Sequence, residues 1–216
     1  MPTDRSRTAR STLDHEWARV PGWAVGAATL APIGMIGGWT LAAVRQGAGF
    51  DPVRDTISAL ATQSMQAPAI MTVGLALTGV GHVATAVALR PARVPGRVLL
   101  AAGGLATVLV AALPVDSSPR AHGIAAAVGF GALSVWPALA TRGRDAGVLR
   151  PAVGIAAAGT LVALLTWFVV ELQGLGPDDG SATGLAERAV AGAQALWPLV
   201  VVLGLVRTRR ARARAT

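Results

Sequence analysis

Six apolar stretches alternate with short polar segments along this chain of 216 residues. Crossing about 30 Å of hydrocarbon takes about 20 helical residues at 1.5 Å each, and the stretches have about that length. The pattern predicts helices over residues 21–44, 68–89, 97–113, 119–140, 151–170 and 185–206. Pro68, Pro119 and Pro151 stand at helix starts, where a missing N–H does no harm. Trp23 and Trp39 lie near the ends of the first helix, as interfacial anchors do. The expected organisation is a polar tail over 1–20, one membrane domain over 21–206, and a second polar tail over 207–216. The first apolar run exceeds the ~7–15 residues of a signal peptide, so it is expected to stay as a helix. The predicted class is all-α integral membrane: a six-transmembrane-helix bundle.

Composition agrees. A hydrophobic share of 53% with mean hydropathy +0.55 excludes an ordinary soluble domain. The absence of cysteine excludes disulfide and thiol chemistry. All 19 basic residues are arginine, and they sort by loop. The N-terminal tail, second and fourth loops and C-terminal tail hold 15 arginines against 4 acids. The first, third and fifth loops hold 4 against 7. That asymmetry is the positive-inside pattern, so both termini are expected in the cytoplasm and the protein in the cytoplasmic membrane. Anionic lipid headgroups, rather than nucleic acid, are the partners expected for the net charge of +8. The last ten residues, with five arginines, are expected as a disordered lipid-surface anchor. The inner arginines read as generic and replaceable. The oligomeric state is left open.

Glycines fall largely inside the helices. Gly22 with Gly26, and Gly34 with Gly38, have the i,i+4 spacing that lets helix backbones approach closely in lipid.

The outer loops carry the candidate chemistry. Asp51-Pro52 is a helix start signal, with Asp as N-cap and Pro at N1. Val53, Ile57 and Leu60 then fall on one helical face and Asp55, Ser58 and Thr62 on the other, predicting a short amphipathic helix in the first outer loop. In the third loop Asp116 and Ser118-Pro119 lead to Arg120 and His122 in the first turn of helix 4. In the fifth, Glu171 precedes Gly176-Pro-Asp-Asp-Gly180, and Glu187-Arg188 open helix 6. Arg120 and Arg188 are cations near helix N-termini, and Glu171 is an anion at a C-terminus. Each placement is unfavourable by about 0.3–1 kcal/mol unless offset. Pairing of Arg188 with Glu171 or Asp116 is one offset; an anionic ligand held by both arginines is another.

Three stretches together resemble a known family. Residues 55–61 (Asp-Thr-Ile-Ser-Ala-Leu-Ala), the step from Asp116 to His122, and residues 184–188 (Gly-Leu-Ala-Glu-Arg) are similar to the bacterial and archaeal membrane-protein family catalogued as domain of unknown function 998. Ala61 stands where such proteins usually have Gly. The resemblance implies a six-helix bundle and no established activity.

The residues leave several chemistries open. A metal-dependent lipid hydrolase needs ligands that converge. His82 is expected toward the cytoplasmic side and His122 toward the outer side, so they do not share a metal. His82 reads as a core histidine. An oxygen-rich set of His122, Asp55, Asp116 and Glu187 would suit Mg²⁺, although no cofactor is required. Ser58, His122 and Asp116 are conceivable as a triad. Asp55, Glu171 or Glu187 at the mouth of an apolar bundle suits acid–base chemistry on an isoprenoid or phospholipid. Asp55, Asp116, His122 and Glu187 are thus the candidate catalytic residues. Arg120 and Arg188 are candidate anion-binding residues, with Ser58 and Glu171 in the same polar cluster. The alternative is a non-catalytic partner or scaffold protein whose outer cluster is structural. A transporter fits less well, since no broken helix or inverted repeat is evident.

Overall fold

The computed structural model describes residues 20–144, 146–176 and 180–214. The basic tail over 1–19 with His15, position 145, most of the acidic run in the fifth loop (177–179) and residues 215–216 lie outside the described residues. Six helices carry the fold: α1 (Ala24–Val44), α2 (Ala69–Ala88), α3 (Val94–Ala112), α4 (Pro119–Leu139), α5 (Pro151–Leu172) and α6 (Thr183–Arg214). There is no strand among the described residues. Each helix is long and apolar enough to span a membrane. Ile33, Leu105, Ile124 and Ile155 are each more than half exposed, which water disfavours and lipid does not. The chain is a multi-pass membrane protein.

Consecutive helices pack side by side, and α6 returns against α1. Only 22% of the apolar window of α5 is buried, against 39–50% for the others, so α5 lies outside the bundle on α4 and α6. The α1–α2, α3–α4 and α5–α6 loops share one end, termed here the site end. The other end carries the remaining loops and the arginine-rich C-terminus, and is termed the basic end.

Glycine sets the closest approaches. A Cβ on Gly34 would lie 2.6 Å from the Gly74 carbonyl oxygen, and one on Gly74 would lie 3.0 Å from Gly38 Cα. The α1–α2 crossing therefore requires bare backbone on both sides. Gly22 and Gly26, which share the same spacing, face nothing within 4 Å. Spacing alone did not separate the packed pair from the open one.

Helix α1 departs from the expected continuous helix. Ile33–Gly37 form a π-helical turn immediately after Pro32. Proline lacks the N–H that would continue the ladder and its ring crowds the preceding turn. Beside this turn the Ala31 carbonyl accepts from Thr78 Oγ1 at 3.2 Å. Helix α6 also runs on to Arg214, so residues 207–214 are helical rather than a disordered anchor. Alanine and arginine are strong helix formers, and cations suit a helix C-terminus. Two basic-end arginines are less generic than expected. Arg97 Nε donates to the Ala86 carbonyl at 2.8 Å and Arg142 Nε to Pro91 at 2.8 Å, closing carbonyls at and just beyond the α2 terminus.

Candidate functional site

The site is built around the start of α6, whose first N–H groups have no partner within the helix. The α1–α2 loop supplies them. Gly184 N–H donates to the Arg54 carbonyl at 3.2 Å and Leu185 N–H to Val53 at 2.9 Å. A Cβ on Gly184 would meet the Pro52 carbonyl at 2.8 Å and that of Asp55 closer still, so glycine is required for this approach. One turn on, Arg188 Nη1 donates to the carbonyls of Pro52 (2.8 Å), Asp55 (2.8 Å) and Gly184 (2.9 Å). Its guanidinium lies 5.8 Å from the Phe50 ring centroid.

These contacts shape the first loop. Asp51 acts as a local cap, Oδ1 accepting from Val53 N–H at 2.9 Å. The carbonyls of residues 52–55, which a continuing helix needs, are committed to α6. The short helix therefore forms later, as the 3-10 turn Ser58–Ala61, with Thr56 Oγ1 accepting from Ala59 N–H at 3.1 Å. Leu60 and Ala61 anchor it in the core.

That turn delivers Ser58 into a hydrogen-bonded line. Ser58 Oγ stands 3.3 Å from Glu187 Oε1 and 3.1 Å from His122 Nε2. His122 Nδ1 lies 2.7 Å from the Leu113 carbonyl. A carbonyl only accepts, so Nδ1 carries a proton and Nε2 faces the serine. Glu187 Oε2 accepts from Ile57 N–H. Glu187 is 4% exposed and His122 6%. The line has two protonation arrangements. Either a protonated Glu187 donates to Ser58, which donates to neutral His122, or charged His122 donates to Ser58, which donates to the Glu187 carboxylate. They differ by one proton moved across a serine hydroxyl, which is the property of a general acid–base relay.

The relay opens onto a cavity of about 40 Å³ lined by residues of α1, α2, α3, α4 and α6. Its walls are mostly apolar: Met35 from the π turn, Leu75, Val110, Phe130 and Leu133. Glu187 and Ser58 lie at one end. Seven residues further along α6, about 10 Å at 1.5 Å per residue, stands Gln194. Its Nε2 donates to the Phe130 carbonyl (3.0 Å) and to Ser134 Oγ (2.9 Å). His82 lines the same region at 1% exposure, and neither ring nitrogen has a hydrogen-bond partner among the described residues. The Gln194 backbone carbonyl faces the ring without reaching hydrogen-bonding geometry. An orphaned buried polar group costs about 1–3 kcal/mol, so His82 is not the satisfied core histidine expected.

The predicted cluster thus divides. Ser58, His122 and Glu187 meet. Asp55 lies beside them, but its Oδ2 accepts from Asp51 N–H at 2.7 Å. Asp116 does not complete a triad, since its Oδ2 accepts from Gln63 N–H at 2.9 Å and ties two loops together. Glu171 Oε2 accepts from Ala182 N–H at 3.1 Å, joining the end of α5 to the start of α6. Arg188 pairs with backbone carbonyls rather than with Glu171 or Asp116, and its Nη2 has no partner among the described residues. Arg120 is exposed, and no contact among the described residues joins it to Arg188. No three carboxylate or imidazole groups stand together as a metal set among the described residues. Gln194 and Met35 escaped sequence reasoning. The one signal for Gln194 was a lone amide two helical turns after Glu187, on the same face.

A family model described as "Protein of unknown function (DUF998)" matches residues 26–204. No curated protein and no solved structure matches the chain.

Proposed function

The chain belongs to the DUF998 family, whose description names no activity, and from that premise we propose that it binds an anionic lipid or isoprenoid at the site end and performs acid–base chemistry on it through Ser58, His122 and Glu187. The observation that carries this reading is the relay itself: a buried Glu–Ser–His line facing an apolar cavity between membrane helices. A lipid places its polar head at the loops and its chain among apolar side chains, so a relay at that junction meets the bonds between them. Arg120 supplies charge at the rim for an anionic headgroup. By the arginine asymmetry, the site end faces away from the cytoplasm, in the cytoplasmic membrane, with both termini inside.

One set of observations favours a structural role for part of the cluster. Asp55, Asp116, Glu171 and three carbonyls under Arg188 are all engaged within the protein. A scaffold or partner-binding protein needs only these contacts. The two readings separate on Glu187→Gln. Gln keeps an acceptor for Ile57 N–H and a donor for Ser58, but cannot give up a proton. An enzyme keeps its bound lipid and thermal stability and loses turnover by about 10²-fold or more. If Glu187→Gln changes stability alone, with lipid composition unaffected by either protein, the scaffold reading holds.

A further inference from the structure

Resting on that reading, we propose that the cavity is a water-binding site anchored by His82, and that it makes the reaction at Ser58 a hydrolysis of an acyl ester. Three observations converge. The cavity volume of about 40 Å³ has room for about three water molecules at ~10–15 Å³ each. Both of its ends are polar. Glu187 and Ser58 face it at one end, and His82 and Gln194 about 10 Å away along α6. His82 presents a buried imidazole to that space, and neither of its nitrogens makes a hydrogen bond among the described residues. Water gives such a ring both a donor and an acceptor.

The placement answers a requirement of hydrolysis inside a bilayer, where water is scarce. In the first step Ser58 Oγ attacks the ester carbonyl and its proton passes to His122 Nε2. The tetrahedral adduct then collapses, the C–O bond to the alcohol breaks, and His122 returns the proton to the departing alkoxide. In the second step a water from the cavity attacks the acyl-serine, giving a proton to His122. The acid leaves, and that proton restores Ser58. The sum is ester plus water to acid plus alcohol, with nothing oxidised or reduced. The Leu113 carbonyl holds the imidazole in the tautomer both steps need.

The test uses the full chain with ¹⁵N-labelled histidine in phosphatidylglycerol vesicles, read by water-to-protein magnetisation transfer in solid-state NMR. His82→Phe assigns the His82 signal. Ala126→Leu and Ala191→Val each fill the cavity from its wall, so one suffices if the other fails to fold. The expected result is transfer from water to His82 in the parent, lost in the filled variant while transfer to His122 persists. No transfer to His82 in the parent, or transfer unchanged by filling, overturns the water site. A second arm follows a fluorogenic acyl ester in the same vesicles. Turnover should fall about 10²-fold or more in Ser58→Ala and about tenfold in the filled variant. Water at His82 with no ester turnover in the parent sinks the hydrolytic assignment while leaving the water site standing. Turnover that is equal in parent and filled variant sinks the cavity's role while leaving the lipid chemistry standing.

Discussion

Replacing Arg188 by Met tests whether this guanidinium holds the protein or holds a ligand. Nη1 carries two hydrogens and meets three carbonyls at 2.8–2.9 Å, so it makes the equivalent of two full hydrogen bonds. Bonds from a charged donor contribute about 1.5–3 kcal/mol each. The side chain is half-buried, so solvent screening lowers the ~3–6 kcal/mol of two such bonds to about 2–4 kcal/mol in all. Methionine keeps the apolar stem beside Phe50 and leaves the carbonyls of Pro52 and Asp55 without their donor. At about 2–4 °C per kcal/mol for a chain of this size, thermal unfolding in a fixed detergent should fall by about 4–16 °C. Proteolysis should open in the loop at residues 51–57. Arg120→Gln should move the transition by no more than about 0.5 kcal/mol, as an exposed surface change does. A variant at Arg188 as stable as the parent but stripped of anionic lipid would refute this and return the residue to the ligand.

Other outcomes follow from single contacts, each read by the same unfolding assay. Gly74→Ala should cost about 1–3 kcal/mol, because its Cβ would lie 2.6 Å from the Gly34 carbonyl oxygen. Gly26→Ala, with nothing within 4 Å, should be neutral or stabilising by up to about 1 kcal/mol. Glu171→Ala should cost about 0.5–2 kcal/mol as the loss of a cap on Ala182 N–H, and Glu171→Gln should recover most of it. His122→Phe removes the partners of the Leu113 carbonyl and Ser58 and should cost about 1–3 kcal/mol.

The six helices were legible because lipid leaves a chain little choice. Every backbone group must be satisfied internally, so apolar stretches of this length become helices. The loops followed different physics. Asp51-Pro52 is a sound local start signal, yet the carbonyls after it went to Gly184, Leu185 and Arg188, some 130 residues away. Local pattern cannot reveal that competition. The helix-dipole argument did single out Arg188 and Glu171 as needing an offset. Both have one, but from backbone carbonyls and N–H groups rather than from each other, and backbone partners leave no trace in residue identity. Ser58 and His122 were recognisable as chemistry. Their third partner was misplaced because Asp116 is near in sequence, while Glu187 reaches the serine only once α6 has docked on the first loop. His82 looked like core, and whether a buried histidine is satisfied depends on what faces it across a cavity.

The most direct test of the central claim is the lipid itself. The parent protein and Glu187→Gln are reconstituted side by side in vesicles of phosphatidylglycerol mixed with a polyprenyl lipid, and the lipid composition is followed over time by mass spectrometry. The expected result is that one lipid class is converted in the parent vesicles and unchanged with Glu187→Gln, although both proteins unfold at the same temperature and retain the same bound lipid. Identical lipid profiles in both vesicles, with the polar line intact, would contradict a catalytic role for Ser58, His122 and Glu187.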